Sequence, residues 1–365
     1  MASASLSELR GHRAQKTVLE RVALADGCAH AWLFSGPPGV GKTTIAGAWL
    51  AALACTTRPR ATADGCGTCP SCSARLRDEH PDLKVLQRDG QVIKIEQVRE
   101  ATARLRFAPV IARVKGVIIE EVETLHETAA NALLKTLEEP ARDVVFVLVT
   151  SRPQLLLDTI RSRCQSLRFA ELAPADIAAV LRQEGQTDEA ARMAAALAQG
   201  SLHEARTLCS PQRLHAVDEV ARFVAGLGLG PPTDAALFVD RIAALCIDRV
   251  AASLGAAAHA DGDDGPTRRA ELTRPDALWV TDVARAVLRD ALLLDAGFAD
   301  DELPYRRHAD ALRTLSQRAG ARSLARVIDR CQELDGRMVL NPNPRLALAA
   351  LLTDAGVAVR SAMRR

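Results

Sequence analysis

The sequence predicts an α/β fold: a parallel sheet covered by helices, with an inserted cysteine-rich module, followed by two all-helical domains. Near residue 36 an apolar run, a glycine-rich loop and a helical stretch follow one another. Up to Phe169, apolar runs of strand length alternate with helical patterns, which indicates a parallel sheet. Beyond Phe169 only helical patterns follow. The predicted domains are residues 1–170, with the cysteine module at 55–72, then 171–209 and 210–365.

Composition limits the possible functions. A chain of 365 residues is expected to hold two or three domains, because single cores rarely grow past about 250 residues. Lys and Arg number 47 against 45 for Asp and Glu, so any DNA contact must be local, and an aromatic content of 3% argues against a stacking platform for single strands. No unbroken apolar run approaches the roughly 20 residues of a membrane span, and the N-terminus lacks signal-peptide features. We expect a cytoplasmic protein without membrane contact.

The glycine-rich loop from Gly36 to Thr43 fits the phosphate-binding pattern G-x-x-x-x-G-K-[ST] in full. It follows the apolar run 31–34 and precedes a helical stretch at 45–53, as such a loop requires. Lys42 is predicted to reach the β- and γ-phosphates of ATP and Thr43 to bind Mg²⁺. The alternative, a Gly/Pro turn that matches by chance, does not account for the flanking strand and helix. The residues predicted to contact the nucleotide are Gly36, Gly39, Val40, Gly41, Lys42, Thr43 and Thr44.

Four of the nine cysteines, Cys55, Cys66, Cys69 and Cys72, follow one another at spacings x10, x2 and x2. Four thiolates so arranged can close tetrahedrally on one Zn²⁺. Disulfides suit a reducing cytoplasm poorly, and a redox C-x-x-C motif is normally a single pair, so unligated thiols are the remaining alternative. The scattered cysteines are expected to be buried free thiols; they are Cys28, Cys164, Cys209, Cys246 and Cys331.

The remaining elements follow from apolar spacing and from helix-ending residues. In the first domain, strands are predicted at 83–86, 114–119 and 144–149, and helices at 95–105, 126–137 and from about Gln154. In the second domain, helices are predicted at 174–183, 187–199 and 201–208. Longer amphipathic helices follow from Pro211, interrupted by the polar run 259–266, which is predicted to be a mobile loop.

Two predicted strands end in polar side chains. Glu120 and Glu121 follow an apolar strand, at the sheet edge where open α/β folds place their ligands. Glu120 is predicted to hold Mg²⁺ through water, and Glu121 to orient or deprotonate the attacking water. The alternative is a solvated acidic loop, because Glu123 continues the run. Thr150 and Ser151 end the next strand and are candidate contacts of the γ-phosphate, although hydroxyls at such positions are more often ordinary turn residues.

Two further segments make a resemblance specific: residues 131–140 (NALLKTLEEP) and 159–165 (TIRSRCQ). Together with the phosphate loop and the inserted cysteine module, they resemble the AAA+ subunits of the bacterial DNA polymerase III clamp loader. Residues 80–83 (HPDL) and 95–99 (IEQVR) bring the resemblance nearest to the delta-prime subunits. The fold implied is an AAA+ P-loop NTPase domain, a helical lid domain and a helical collar domain.

The resemblance also implies partners and roles. The family forms an open ring of five AAA+ subunits, including delta and gamma/tau, which places a sliding clamp on primed DNA and holds each ATP at a seam between neighbours. Arg163 is implied to be an arginine finger that acts in trans on a neighbour's γ-phosphate, whereas spacing alone favours a surface salt bridge. Arg99, Arg104 and Arg106 are the basic cluster near the helix that resembles a DNA contact, and they equally fit a solvated helix face.

Two departures from the motor subunits leave ATP hydrolysis open, while the intact loop predicts ATP binding. Glu120 stands where those subunits carry Asp, and His203 stands where they carry Arg in the second-sensor segment 200–206. Arg206 lies one turn further on. One alternative is the gamma/tau motor subunit of the same loader. Another is a solitary P-loop enzyme, such as a small-molecule kinase, in which the cysteine module is only structural.

Overall fold

The computed structural model describes the chain except for residues 1–4, 26–27, 59–62, 78, 91, 228–233, 254–271, 301–302, 339–342 and 364–365, and except for the side chains of residues 234 and 245–253. The predicted loop at 259–266 and the Cys246 thiol lie outside what is described. The chain divides into two compact units. Unit 1 comprises Met1–Val180 and Gln199–Glu204, and unit 2 comprises Leu181–Ala198 and Ala205–Arg365. The three-domain boundaries drawn from the sequence stay a prediction.

Unit 1 alternates strands with helices along the chain. Its strands are β1 (Ala31–Ser35), β2 (Leu83–Leu86), β3 (Lys115–Ile119), β4 (Val144–Thr150) and β5 (Gln165–Arg168). Its helices are α1 (Arg13–Leu24), α2 (Lys42–Ala54), α3 (Pro70–Leu76), α4 (Ile95–Leu105), α5 (Glu127–Glu138) and α6 (Asp158–Arg161), with 3₁₀ turns at Val122–Thr124 and Pro153–Leu155. Helix α7 (Pro174–Gln183) begins in unit 1, and its last residues belong to unit 2.

The strands form one five-stranded sheet in the order β2-β3-β4-β1-β5, with every pair parallel. Ser35 pairs with Thr150, and Ile119 pairs with Leu148. The carboxyl ends of β1, β3 and β4 therefore meet at one edge of the sheet, where ligands of open α/β folds bind. This sheet confirms the predicted α/β fold class.

Both faces of the three central strands β1, β3 and β4 are buried, as their unbroken apolar sequences predict. Successive strand residues point to opposite faces, so Trp32 and Phe34 pack on the side of α1 and α2. Leu33, Val117 and Phe146 pack on the side of α4 and α5. These two layers hold the strand ends, and the loops that follow them, in fixed positions.

Unit 2 is helical in its described residues. Its helices are α8 (Asp188–Leu197), α9 (Leu202–Leu208, whose first residues belong to unit 1), α10 (Pro211–Ala225), α11 (Asp234–Ser253), α12 (Arg274–Asp295), α13 (Ala309–Ala319), α14 (Ala321–Arg337) and α15 (Pro344–Met363), with a 3₁₀ turn at Arg306–His308. Helix α12 lies at the centre of the packing, and its Val280, Val287 and Ala291 are completely buried. Unit 2 therefore has a core of its own.

Helix α15 is long and apolar enough to cross a membrane by length and composition, with a hydropathy of 1.5. Asp354 and Arg360 interrupt its apolar residues. Leu348, Leu352 and Val359 are buried in the core of unit 2. Core helices of soluble proteins meet the same criterion, so this helix is weak evidence for membrane contact.

The structure differs from the predictions drawn from the sequence in three local respects. The helix predicted from Gln154 is instead a 3₁₀ turn followed by the short α6. Strand β5 and helix α1 carry no prediction from the sequence. Among the scattered cysteines whose side chains are described, Cys209 and Cys331 are buried, whereas Cys28 and Cys164 are only half-buried.

Candidate functional site

The phosphate loop joins β1 to α2, and tight packing requires glycine at two of its positions. A Cβ atom at Gly36 would collide with the carbonyl oxygen of Phe169. At Gly39, where φ is 73°, a Cβ atom would collide with the Ser201 hydroxyl oxygen. Gly41 is left-handed and immediately precedes α2, so the free N–H groups of the helix start lie directly behind the loop.

Lys42 lies at the mouth of this loop. Its Nζ donates to the carbonyl oxygens of Gly36 at 2.8 Å and Pro37 at 2.5 Å, and its side chain is buried. Burial lowers the pKa of Lys42, and the nearby Glu123 carboxylate opposes that effect. An ammonium group held against two carbonyl groups is suited to a polyanion, because phosphate oxygens are stronger acceptors than the loop's own carbonyls.

Thr43 and Glu120 line one cleft of about 490 Å³ beside the edge strand β2. Glu120 follows β3 and accepts a hydrogen bond from Gln87 Nε2 at 2.9 Å. A hydroxyl and a carboxylate on one cleft are the oxygen ligands that Mg²⁺ prefers. The two predicted magnesium-side residues therefore line the same cleft.

Glu121, the predicted base, lies beside this cleft and not among its lining residues. Its backbone is left-handed, with φ of 44°, which turns the chain sharply out of the sheet. Its carboxylate is half exposed and forms an ion pair of 2.7 Å with Arg88. An attacking water would have to compete with Arg88 for that carboxylate.

Glu123, which the sequence analysis treats only as part of an acidic run, contacts the end of β4. Its Oε1 accepts hydrogen bonds from Ser151 N at 3.2 Å and from Ser151 Oγ at 3.0 Å. Burial raises the pKa of Glu123, but hydrogen bonds from the backbone and from Thr150 and Ser151 outweigh it and hold the pKa below its usual range. The two predicted γ-phosphate contacts are therefore partners of a carboxylate.

The predicted second-sensor segment divides at Glu204. Residues 199–204 belong to unit 1, and His203 N donates to the carbonyl oxygen of Gly39 at 3.2 Å. Arg206 belongs to unit 2 and forms a bidentate contact with Glu184, with distances of 2.5 to 3.1 Å. His203 therefore contacts the phosphate loop through its backbone, and the guanidinium of Arg206 already has a carboxylate partner.

A further contact of the loop comes from His12, which the sequence analysis missed. His12 Nε2 lies 2.9 Å from the carbonyl oxygen of Val40, and its ring packs edge-on against Phe169 with centroids 5.0 Å apart. Burial lowers the pKa of His12, and its contact with Val40 partly offsets this. The neutral ring donates to Val40 and so fixes the centre of the loop.

Arg163 lies between α6 and β5. Its Nη2 is 2.6 Å from Glu138 Oε1, and its Nη1 donates to the carbonyl oxygen of Thr159 at 2.9 Å. About a third of the side chain is exposed. The contact with Glu138 is the surface salt bridge that spacing alone favours, and the exposed fraction leaves the guanidinium accessible to a second molecule.

The four clustered cysteines converge at the end of α2 and the start of α3, and their sulfurs all lie within 4.8 Å of one another. Cys55 Sγ and Cys69 Sγ are 3.8 Å apart, which matches the edge of about 3.8 Å in a tetrahedron with Zn–S bonds of about 2.3 Å. Backbone N–H groups of Cys66 and Cys69 donate to neighbouring sulfurs at 3.3 Å, as they do to thiolates. This donor set fits one tetrahedral metal ion.

Comparison with known proteins agrees with this architecture. Residues 11–173 match the protein family described as DNA polymerase III, delta subunit. The DNA polymerase III subunit gamma/tau of Mycobacterium tuberculosis H37Rv is 32% identical over 356 residues, covering 94% of this chain and 60% of that protein. The DNA polymerase III subunit delta' of Pseudomonas aeruginosa is 41% identical over 138 residues, covering 37% of this chain and 42% of that protein.

The chain spans less than two thirds of these relatives' lengths. Among solved structures, a DNA polymerase III gamma subunit-related protein from Thermotoga maritima aligns over 95% of this chain and 99% of that one, with 16% identity and a TM-score of 0.40. A score of that size adds nothing to the assignment.

The family match, the sequence relatives and the five-stranded parallel sheet agree with one another. The chain is therefore similar to the DNA polymerase III clamp-loader subunits, and among them to the delta-prime subunits.

Proposed function

We propose that this chain is a delta-prime-like subunit of the DNA polymerase III clamp loader, which assists ATP-dependent loading of the sliding clamp onto primed DNA. The observation that carries the proposal is the complete phosphate loop, with Lys42 at its mouth and with Thr43 and Glu120 on one cleft. The match of residues 11–173 to the delta family supports the delta-prime role.

The proposed nucleotide is ATP with Mg²⁺. Backbone N–H groups of the loop from Gly36 to Thr44 would hold the phosphates, and Lys42 would exchange its carbonyl partners for phosphate oxygens. Thr43 and Glu120 would hold the cation, which would neutralise charge on the phosphates. Turnover by the lone chain is slow, because Glu121 is paired with Arg88 and no neighbour supplies a finger.

Arg163 is proposed to act in trans at the one seam that this subunit faces. Its guanidinium leaves Glu138 and binds the γ-phosphate held by a neighbouring gamma/tau subunit. Both partners of the pair are partly exposed, so the exchange costs little free energy. The ring would also contain a delta subunit, and we expect the complex to act on DNA in the cytoplasm.

The cysteine cluster is proposed to hold one structural Zn²⁺. Four protein thiolates leave no open position for catalysis on the metal. The metal would join the end of α2 to α3 and so hold the inserted module against the nucleotide domain.

A second candidate is the gamma/tau motor role, which the alignment with the M. tuberculosis protein over 94% of this chain favours. The two roles differ in assembly, because a motor subunit associates with copies of itself and hydrolyses ATP strongly with DNA.

A clamp-loading assay tests the proposal directly. The sliding clamp, primed DNA, ATP, and purified delta and gamma/tau subunits are combined with and without the full chain. Loading that depends on the chain supports the delta-prime role. Loading at the same rate without it contradicts the proposal, and strong ATP hydrolysis by the chain alone favours the motor role or a solitary enzyme.

A further inference from the structure

We propose that the carboxylate of Glu123 occupies the groups that would otherwise contact the γ-phosphate, so that the site binds nucleoside diphosphate more tightly than triphosphate. This inference rests on the proposed nucleotide site at Lys42. It adds a specificity-determining residue to that site.

The first line of evidence is hydrogen bonding. Ser151 uses both its backbone N–H and its hydroxyl on Glu123 Oε1, at 3.2 and 3.0 Å. A serine hydroxyl has only one proton to donate. While that proton is held by Glu123, Ser151 cannot donate it to a phosphate oxygen.

The second line of evidence is position. The pairing of Ser35 with Thr150 aligns the end of β4 with the start of the phosphate loop, and Gly36 N donates to the carbonyl oxygen of Thr150 at 3.3 Å. Ser151 directly follows Thr150, the residue that is hydrogen-bonded to the start of the phosphate loop. Glu123 interacts electrostatically with Lys42 across the same region. The Glu123 carboxylate therefore contacts Ser151 and also influences Lys42.

The third line of evidence is charge. Glu123 Oε2 is buried and accepts no hydrogen bond from any described residue. The lowered pKa keeps the group ionised at neutral pH. The negative charge of this carboxylate would repel the terminal γ-phosphate of a triphosphate, a group that a diphosphate lacks.

Binding of triphosphate must therefore displace Glu123 from Ser151, or protonate it, whereas binding of diphosphate need not. Glu123→Gln removes this charge. The substitution should therefore strengthen the binding of triphosphate and leave the binding of diphosphate unchanged. We expect the ratio of the Kd for triphosphate to the Kd for diphosphate to fall about tenfold or more, the size expected for a hydrogen bond to a charged group.

The experiment measures Kd for ADP and for the β,γ-imido analogue of ATP, both with Mg²⁺, on the full chain. The matched control is Glu127→Gln, which removes an exposed carboxylate four residues away. A fall in the Kd ratio for Glu123→Gln, with no change for Glu127→Gln, supports the proposal. Equal ratios in all three proteins overturn it while leaving the nucleotide site intact.

Ser151→Ala supplies a second test that does not depend on the stability of the Glu123 variant. In the wild-type background Ser151→Ala should leave triphosphate affinity almost unchanged, because its hydroxyl is already engaged. In the Glu123→Gln background the same change should weaken triphosphate binding several-fold. A large loss in the wild-type background overturns the inference, and absence of binding by either nucleotide overturns both the inference and the proposed nucleotide site.

Discussion

Arg163 and Glu138 form an ion pair of 2.6 Å between the segment that follows α6 and the end of α5. The two side chains are 35% and 48% exposed, so the pair contributes at most about 1 kcal/mol to the free energy of unfolding. A guanidinium held this weakly can be released to another anion. The pair therefore orients the Arg163 side chain but still allows its guanidinium to bind another anion.

Arg163→Ala should leave the chain's own fold and nucleotide affinity nearly unchanged while reducing ATP turnover at the seam that it faces. An arginine finger contributes about 10³ or more to such a rate. The measurement is ATPase activity and clamp loading by complexes at matched assembly. Arg161→Ala is the matched control, because Arg161 is also exposed and paired, with Asp158 at 3.0 Å. Equal activity of the two variants would show that Arg163 forms only a surface salt bridge and is not an arginine finger.

Lys42→Ala should weaken ATP and ADP binding by about tenfold to a hundredfold, because charge-assisted hydrogen bonds to phosphate are lost. Equilibrium titration with a fluorescent nucleotide measures the change. Lys135→Ala, which removes an exposed lysine of α5, provides the control for net charge. If the Lys42 and Lys135 variants bind as tightly as wild type, the loop does not bind nucleotide.

Metal analysis of chelator-washed protein should find about one zinc per chain, since four sulfurs lie within 4.8 Å of one another. Cys69→Ser should lower the zinc content and loosen residues 55–72, which limited proteolysis would detect. Cys28→Ser is the control, because Cys28 lies outside the cluster. A fully folded, metal-free preparation with four freely titrating thiols would refute the site.

The stability of unit 1 should fall as the pH drops below about 6.5. Burial holds the pKa of His12 below its usual value, so between the two pKa values the unfolded chain binds more protons than the folded one. Stability is then fully present above 6.5 and decreases towards the folded-state pKa. His12→Asn should flatten this dependence of stability on pH, measured by chemical denaturation at several pH values. Asparagine tolerates the left-handed backbone at this position, where φ is 49°. An unchanged pH profile, or an equal flattening by His126→Asn, would contradict this assignment.

The sequence predicts the central strands and the phosphate loop well, because both signals are local. Strands β3 and β4 are buried on both faces and therefore appear as unbroken apolar runs. Strand β5 lies at the sheet edge with largely exposed residues, so its polar sequence carries no strand pattern. Such an element is specified by its neighbour β1 and not by its own periodicity.

The role of Glu123 could not be predicted from the sequence for a similar reason. Its partner Ser151 lies 28 residues away and meets it only because β3 and β4 are adjacent in the sheet. The contact of His12 with Val40 likewise spans 28 residues. In contrast, the spacing of the four cysteines encodes their cluster, because three of them lie within one short segment.

Native mass spectrometry tests whether this chain is a clamp-loader subunit of the delta-prime kind. The full chain is mixed with purified delta and gamma/tau subunits of the same organism, and the masses of the assemblies are measured. We expect a five-subunit complex with one copy of this chain, and no oligomer of the chain alone. A chain that remains monomeric beside a complete loader, or that forms oligomers with itself, would contradict the claim.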